Sequence, residues 1–404
     1  MDNTEIRNNK VLPWMLLILA VLFTAVRTAN NVLVVTDSEN SILNYLPLIY
    51  LGVSALFLIL SVVTGIINKV HDPLTLRVDS VERAFSVLCI VTTVVPYLIR
   101  RALISSKDMT DFYEAHYISI AFLMTIVTMY VIGFPSLALS ARKTPAMKIE
   151  QKALGLPKFL MYVSIVAGLC MVGAFIGAPV HMALTIPFNS DANSTITEMM
   201  LNSSLFERIL TVGVLAPIFE ELMFRKILID RTIKYGEFIS IALSGLMFGL
   251  FHGNFQQFFF ATLAGALFAH VYIRTGRIRY TIFLHMAVNL STSVVTASIL
   301  SKLYPIIQDN PDLADNMDTF TALIIMGFMG WVLLLLLIAV TGIVLLCVFY
   351  KRYIKIYRAP GEPSKSALIG QAVKSPVFWS FIVLTLSDFL SEYLPGIAGF
   401  IVNR

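Results

Sequence analysis

Charge is scarce in this sequence. Of 404 residues only 14% are Asp, Glu, Lys or Arg, while 57% are apolar. A soluble domain carries about 25% charged residues to solvate its surface, so a soluble globular protein is excluded. Polar runs long enough to fold as an extramembrane domain are missing too. Cysteine is nearly absent: Cys89, Cys170 and Cys347 lie far apart, each inside an apolar run. That excludes a disulfide framework and any cysteine metal-ligand spacing. The formal net charge is +5, but Lys and Arg fall in short loops rather than in a stripe interleaved with aromatics. Nucleic acid is therefore set aside as a partner. Low-complexity segments are lacking, as is the inverted internal repeat that marks many secondary transporters.

Long apolar runs are what the chain has. A helix needs about 20 apolar residues to cross a ~30 Å hydrocarbon core, and such runs recur from end to end. Backbone in lipid must satisfy its own hydrogen bonds, so the expected fold is all-α, a polytopic transmembrane bundle of ten to eleven spans. Ten are placed at Val11–Val26, Leu48–Ile67, Ala84–Ile99, Tyr117–Leu139, Lys158–Ala178, Ile209–Ile229, Phe238–His252, Phe255–Ile273, Tyr280–Leu300 and Phe320–Tyr350. An eleventh segment, Pro376–Leu390, is interrupted by Asp388 and followed by Glu392, which suits a span, a segment that dips in and returns, or an interfacial stretch. Arg7 and Lys10 precede the first run; without a small-residue cleavage site after it, that run reads as a retained anchor.

Loop charge sets the expected orientation. Lys69–Arg83, Ala141–Lys158, Arg225–Lys234, Arg274–Arg279 and Lys351–Lys374 are rich in Lys and Arg, and Phe159–Glu207 has none. This alternation places the N-terminus in the cytoplasm, with Arg100, Arg101 and Lys107 as the dissenting loop. By content the chain divides into residues 1–157, four spans with little polar material; 158–303, which holds nearly all the chemistry; and 304–404, apolar again.

Ionisable groups inside a bilayer cost about 2.5–3.5 kcal/mol each and by default mark function. The sixth span carries Glu220 and Glu221 near its middle, with Arg225 close behind. Glu221 and Arg225 are four apart and share a helix face, so they can pair. Glu220 points about 100° away and lacks a partner on its own helix, the condition of a free base. The seventh span ends with Phe248 and His252 four apart, and the ninth opens with His285 and Asn289 four apart. Carboxylate, two imidazoles and an amide form a set suited to hydrolysis: a base for water, a proton shuttle and oxyanion donors.

EELMFR, FGLFH and HMAVN, in that order, resemble the EExxxR, FxxxH and HxxxN motifs of the CPBP (Abi) family, the CAAX-protease and bacteriocin-processing intramembrane endopeptidases. The resemblance covers about residues 160–300. It implies that Glu220 activates water together with His252, that His285 and Asn289 stabilise the oxyanion, and that Glu221, Arg225 and Phe248 support them. It also implies a glutamate-dependent mechanism needing no cofactor, although two His and a Glu would also suit zinc. The substrate implied is a peptide or membrane-protein tail reaching the site from the bilayer, and the expected location is a bacterial plasma membrane. Two rivals stand beside it: a non-enzymatic immunity or scaffold role for the same cavity, and a transporter using the buried charges.

Bland readings apply to most other polar positions. His270 reads as a core histidine, while His71, His116 and His181 fall in or near loops. Asn254 reads as turn chemistry, and the sequons at Asn193 and Asn202 carry no weight alone. For Glu221–Arg225 a structural ion pair is as good a reading as a functional one. One geometric conflict stands out. On straight helices rising ~1.5 Å per residue, His285, Glu220 and His252 fall roughly 9, 15 and 25 Å from one surface. A shared site therefore requires at least one broken or tilted helix, with Pro217 and with Gly245, Gly249 and Gly253 as the expected weak points.

Overall fold

The structure is a computed structural model that describes residues 11–35, 46–67, 74–188, 194–309, 317–358 and 364–402. Arg7, Lys10, His71 and Asn193 lie outside the described residues. Among the described residues there is helix and loop but no strand, as a chain surrounded by lipid requires.

Fourteen helices follow one another: α1 (Val11–Val35), α2 (Leu46–Ile67), α3 (Leu74–Leu103), α4 (Lys107–Ala115), α5 (Tyr117–Ala141), α6 (Leu156–Thr185) and α7 (Ser194–Asn202). Then come α8 (residues 205–232), α9 (Glu237–Leu250), α10 (Phe255–Thr275), α11 (Ile278–Gln308), α12 (Thr319–Tyr353), α13 (Lys365–Lys374) and α14 (Pro376–Val402). Among the described residues nine stretches are long and apolar enough to cross a membrane: α1, α2, α3, α5, α6, α10, α11, α12 and α14. The protein is an integral membrane protein.

The remaining two expected spans depart from straight rods. α8 carries too many charges for a simple lipid-facing span, and its α-helical piece Ala216–Glu221 is flanked by wider π-type turns over Arg208–Leu215 and Leu222–Ile227. Pro217 opens that piece, where its missing N–H breaks the ladder least. α9 has only 14 residues, about 21 Å, and stops before His252. α11 also widens, over Leu290–Thr296 just past Asn289. The expected irregularity is present, and π-type turns carry it in α8 and α11. The glycines of α9 act as contact points instead. A Cβ on Gly249 would come within 2.7 Å of the Phe258 carbonyl oxygen, so α9 and α10 cross almost backbone to backbone. Gly253 has φ +71° in the α9–α10 turn, a conformation that favours glycine.

Two groups of helices form the body. α10 packs against α9 and α6, and α6 against α12; α14 packs along α1 and α3, with α2 and α5 outside them. A single buried cluster joins the groups, running from Leu16 and Phe23 of α1 through Phe85 and Phe381 to Phe224 and Phe248. Pro376–Leu390 thus belongs to a long core-packed helix, and Asp388 faces α1. Its Oδ1 accepts from Arg27 Nη1 at 2.5 Å, an ion pair between α14 and α1. Asn254 does more than turn the chain: its Oδ1 caps α10 by accepting from Gln257 N at 2.9 Å, and its amide donates to the His252 carbonyl.

Loops rich in Lys and Arg gather at one end. Met147 N donates to Asp230 O, Lys152 N to Thr275 O, Arg231 Nε to Ala141 O and Arg274 to Lys355 O. Arg274 also pairs with Glu237.

Candidate active site

Glu221 and Arg225 face one another one helical turn apart, both side chains fully buried, with Nε 3.0 Å from Oε2. The contact is one of charge rather than an aligned hydrogen bond, since neither atom has a hydrogen-bond partner. Burying a guanidinium is costly, and neighbours from other helices offset that. Its carbon lies 4.7 Å from the centroid of the Phe248 ring and 5.4 Å from that of Phe268, a cation held between two π faces. Phe248 thus supports the pair from α9, and Phe268 does so from α10.

His285, on the first turns of α11, reaches both carboxylates. Its Nδ1 is 3.1 Å from Glu221 Oε1, and its Nε2 is 3.8 Å from Glu220 Oε2. Phe268 stacks on the ring at 5.3 Å and Phe248 meets it edge-on at 5.6 Å, which fixes its plane. With Nδ1–H donating to the carboxylate that also faces Arg225, the Nε2 lone pair points toward Glu220. The 3.8 Å separation is too long for a hydrogen bond, yet a single water can touch both atoms. Glu220 itself is 14% exposed, the more accessible of the two acids.

His252 sits in the turn between α9 and α10. Its Nδ1 lies 2.7 Å from the Phe248 carbonyl oxygen, which can only accept, so Nδ1 carries the proton and Nε2 is the acceptor. The ring packs edge-on against Phe248 at 4.9 Å and feels the charge of Glu220, without being in ion-pair distance of it. Asn289 turns another way: its Nδ2 donates to the Val212 carbonyl oxygen at 2.9 Å, in the widened stretch of α8. There it satisfies a carbonyl that the π-type turn leaves open and locks α11 to α8. The structure thus brings Glu220, Glu221, Arg225, Phe248 and His285 into contact, sets His252 beside them, and places Asn289 at the α8–α11 seam.

Several participants carry no motif. Tyr130 of α5 stacks on Phe219 at 4.6 Å and lies within electrostatic reach of Glu220. From α14, Asp388 abuts Gly253, and the Tyr393 hydroxyl oxygen accepts from Phe255 N at 3.2 Å. His181 Nδ1 of α6 is 3.1 Å from that same oxygen. A tyrosine or an acid inside an apolar run was the available signal, but its partners lie about 90 or more residues away. Among the described residues no three His, Cys, Asp or Glu side chains are grouped as a metal site requires.

Residues 202–291 match the family model described as Type II CAAX prenyl endopeptidase Rce1-like. Over this stretch the chain is similar to the CPBP family. A curated relative, "Putative membrane peptidase YdiL" of Bacillus subtilis (strain 168), is 34% identical over 82 residues, which is 20% of this chain and 34% of that protein. The chain thus spans about a third of the length of the curated relative it matches. No solved structure matches. Every motif residue of the CPBP core, from Glu220 to Asn289, falls inside the matched stretch, whereas Tyr130, Asp388 and Tyr393 fall outside it.

Proposed function

We propose that this chain is an intramembrane endopeptidase that hydrolyses peptide bonds with a glutamate-activated water. The observation that carries the reading is the His285 imidazole spanning Glu220 and Glu221 inside an otherwise apolar bundle. A water held between Glu220 Oε2 and His285 Nε2 gives a proton to Glu220 as its oxygen attacks the substrate carbonyl carbon. The resulting oxyanion accepts a hydrogen bond from the carboxyl group that Glu220 has become, and His252 Nε2, an acceptor beside the site, orients the attacking water. Glu220 then returns the proton to the amine nitrogen as the C–N bond breaks, leaving a carboxylic acid and a free amine. Glu221 and Arg225 act by holding His285 in one tautomer, and Asn289 by fixing α11 against α8. The substrate class is a peptide or membrane-protein tail that enters from the bilayer. The bacterial relative and the one-sided gathering of basic loops support a bacterial plasma membrane with the N-terminus in the cytoplasm.

The test is cleavage of a quenched peptide library by purified protein, with the wild type, Glu220→Gln and His252→Ala compared with and without a chelator. Loss of cleavage in both variants, with no effect of the chelator, is expected. Cleavage surviving Glu220→Gln overturns the assignment of the base, and loss to the chelator returns zinc to the reaction.

A further inference from the structure

At the end of the bundle where the basic loops gather, a cavity of about 500 Å3 opens between α8, α10 and the start of α11. It is separate from the site above, and its lining is cationic. Lys226 enters from α8, Arg277 and Arg279 from the start of α11, with Gln151 and the Tyr272 hydroxyl between them. Its size falls within the range of about 300–1,000 Å3 typical of small-molecule sites.

The charges do not cancel locally. Lys226 Nζ is 2.7 Å from Asp230 Oδ2, and Tyr272 donates its hydroxyl to Asp230 Oδ1 at 2.7 Å, so that acid is engaged. Glu150, the other acid beside the cavity, pairs with Lys152 at 2.9 Å. Neither Arg277 nor Arg279 has a carboxylate within ion-pair distance among the described residues. The Arg277 Nε is moreover buried with no hydrogen-bond partner. A buried guanidinium N–H left unmet costs free energy unless something else accepts from it. Arg279 extends over the Tyr280 ring, 5.1 Å from its centroid, at the mouth of the cavity. α11, a helix of several turns, begins at Ile278 in the cavity wall, and its N-terminal end adds partial positive charge.

We propose that this cavity binds a phosphate group, taken from the headgroup of an anionic phospholipid. Two guanidinium forks without a carboxylate partner, an ammonium and the start of a helix match a multi-oxygen anion better than a single carboxylate. The mouth lies where the α11 span begins, which is the level of lipid headgroups. Because α8 carries Glu220 and α11 carries His285, a headgroup seated there ties together the two helices of the site. The binding itself is independent of whether the chain hydrolyses peptides, so its test reads binding alone.

The measurement is the melting temperature of the full chain in neutral detergent at low salt. It is titrated in separate arms with dioleoylphosphatidylglycerol, dioleoylphosphatidylcholine, glycerol 1-phosphate and inorganic phosphate. Phosphatidylglycerol is expected to raise it saturably and phosphatidylcholine not to. Arg277→Gln/Arg279→Gln should weaken the apparent affinity roughly 30-fold, from about fivefold per basic residue. Arg142→Gln/Lys143→Gln, two exposed positions at the same end, removes equal charge and should leave the affinity within about twofold. Saturation by the soluble phosphates with the same dependence on Arg277 and Arg279 upholds the site and assigns it to free phosphate. Should the first double variant lose cooperative melting, Arg279→Gln alone replaces it. An equal response in both double variants, or no response to any phosphate, overturns the proposal.

Discussion

Removing one partner of the Glu221–Arg225 pair should cost far more than removing both. At 3.0 Å and an effective dielectric near 20, the attraction is worth about 5 kcal/mol. Both side chains are fully buried, so Arg225→Met leaves the Glu221 carboxylate without its counter-charge in an apolar surround. Losses of about 3–5 kcal/mol are usual for a buried pair broken on one side. Cation–π contact with Phe248 and Phe268 adds about 1–2 kcal/mol to the loss. Glu221→Gln strands the guanidinium in the same manner, whereas Glu221→Gln/Arg225→Met removes both charges and should regain most of the stability. The assay is reversible unfolding in mixed micelles of the wild type, both single variants and the double variant. A coupling energy of about 3 kcal/mol or more is expected. Additive losses, with the double variant as unstable as the sum of the singles, would refute the argument that this pair is a mutually dependent unit.

Other perturbations test the surrounding scaffold. Gly249→Ala should destabilise the chain by about 1–3 kcal/mol despite alanine's better helix propensity, because its Cβ meets the Phe258 carbonyl of α10; melting in detergent reads it. Tyr393→Phe removes the acceptor of the Phe255 N–H, and amide exchange over residues 252–256 should quicken by about fivefold, as the loss of about 1 kcal/mol implies; unchanged exchange would show that α14 does not hold this turn. Asp318 caps α12 by accepting from the Thr321 hydroxyl and from the Thr321 and Phe320 amides, and these bonds hold its carboxyl below the usual value of 3.8. A depressed pKa stabilises the folded end above the unfolded value and is lost as pH falls through the lower folded one. The first turn of α12 should therefore fray below about pH 4, and Asp318→Asn should abolish that pH dependence in amide exchange over residues 318–323.

Much of the site was legible because lipid makes polarity conspicuous. Glu220, Glu221, Arg225, His252, His285 and Asn289 stand out against apolar runs, and their four-residue spacings place pairs on common helix faces. The all-α class followed from the same scarcity of charge. What escaped the sequence was long-range or irregular. Arg27 and Asp388 are 361 positions apart, so nothing in the sequence links them, although α1 and α14 bring them into contact. A 3.6-residue period cannot register π-type turns, and so the straight-rod depths of Glu220, His285 and His252 disagreed. Gly249 and Gly253 stand out in the sequence as places where the seventh span can tilt or stop early; α9 does stop at Leu250, with Gly253 in the left-handed turn that follows, while Gly249 serves a close crossing. Phe268 and Tyr130 look like ordinary apolar filling until their neighbours are known.

The bracing of the His252 turn by α14 has a consequence for the order in which the molecule is made. Synthesis runs from the N-terminus, so Glu220, His252 and His285 leave the ribosome more than 90 residues ahead of Asp388 and Tyr393. Until α14 enters beside α1 and α3, Gly253 and Phe255 lack the neighbours that hold them, and the large buried cluster lacks Phe381, Leu384 and Phe389. Assembly of the candidate site is thereby deferred until α14 inserts, and a nascent chain in a crowded translocation channel carries its two histidines and its glutamates without yet holding them in register.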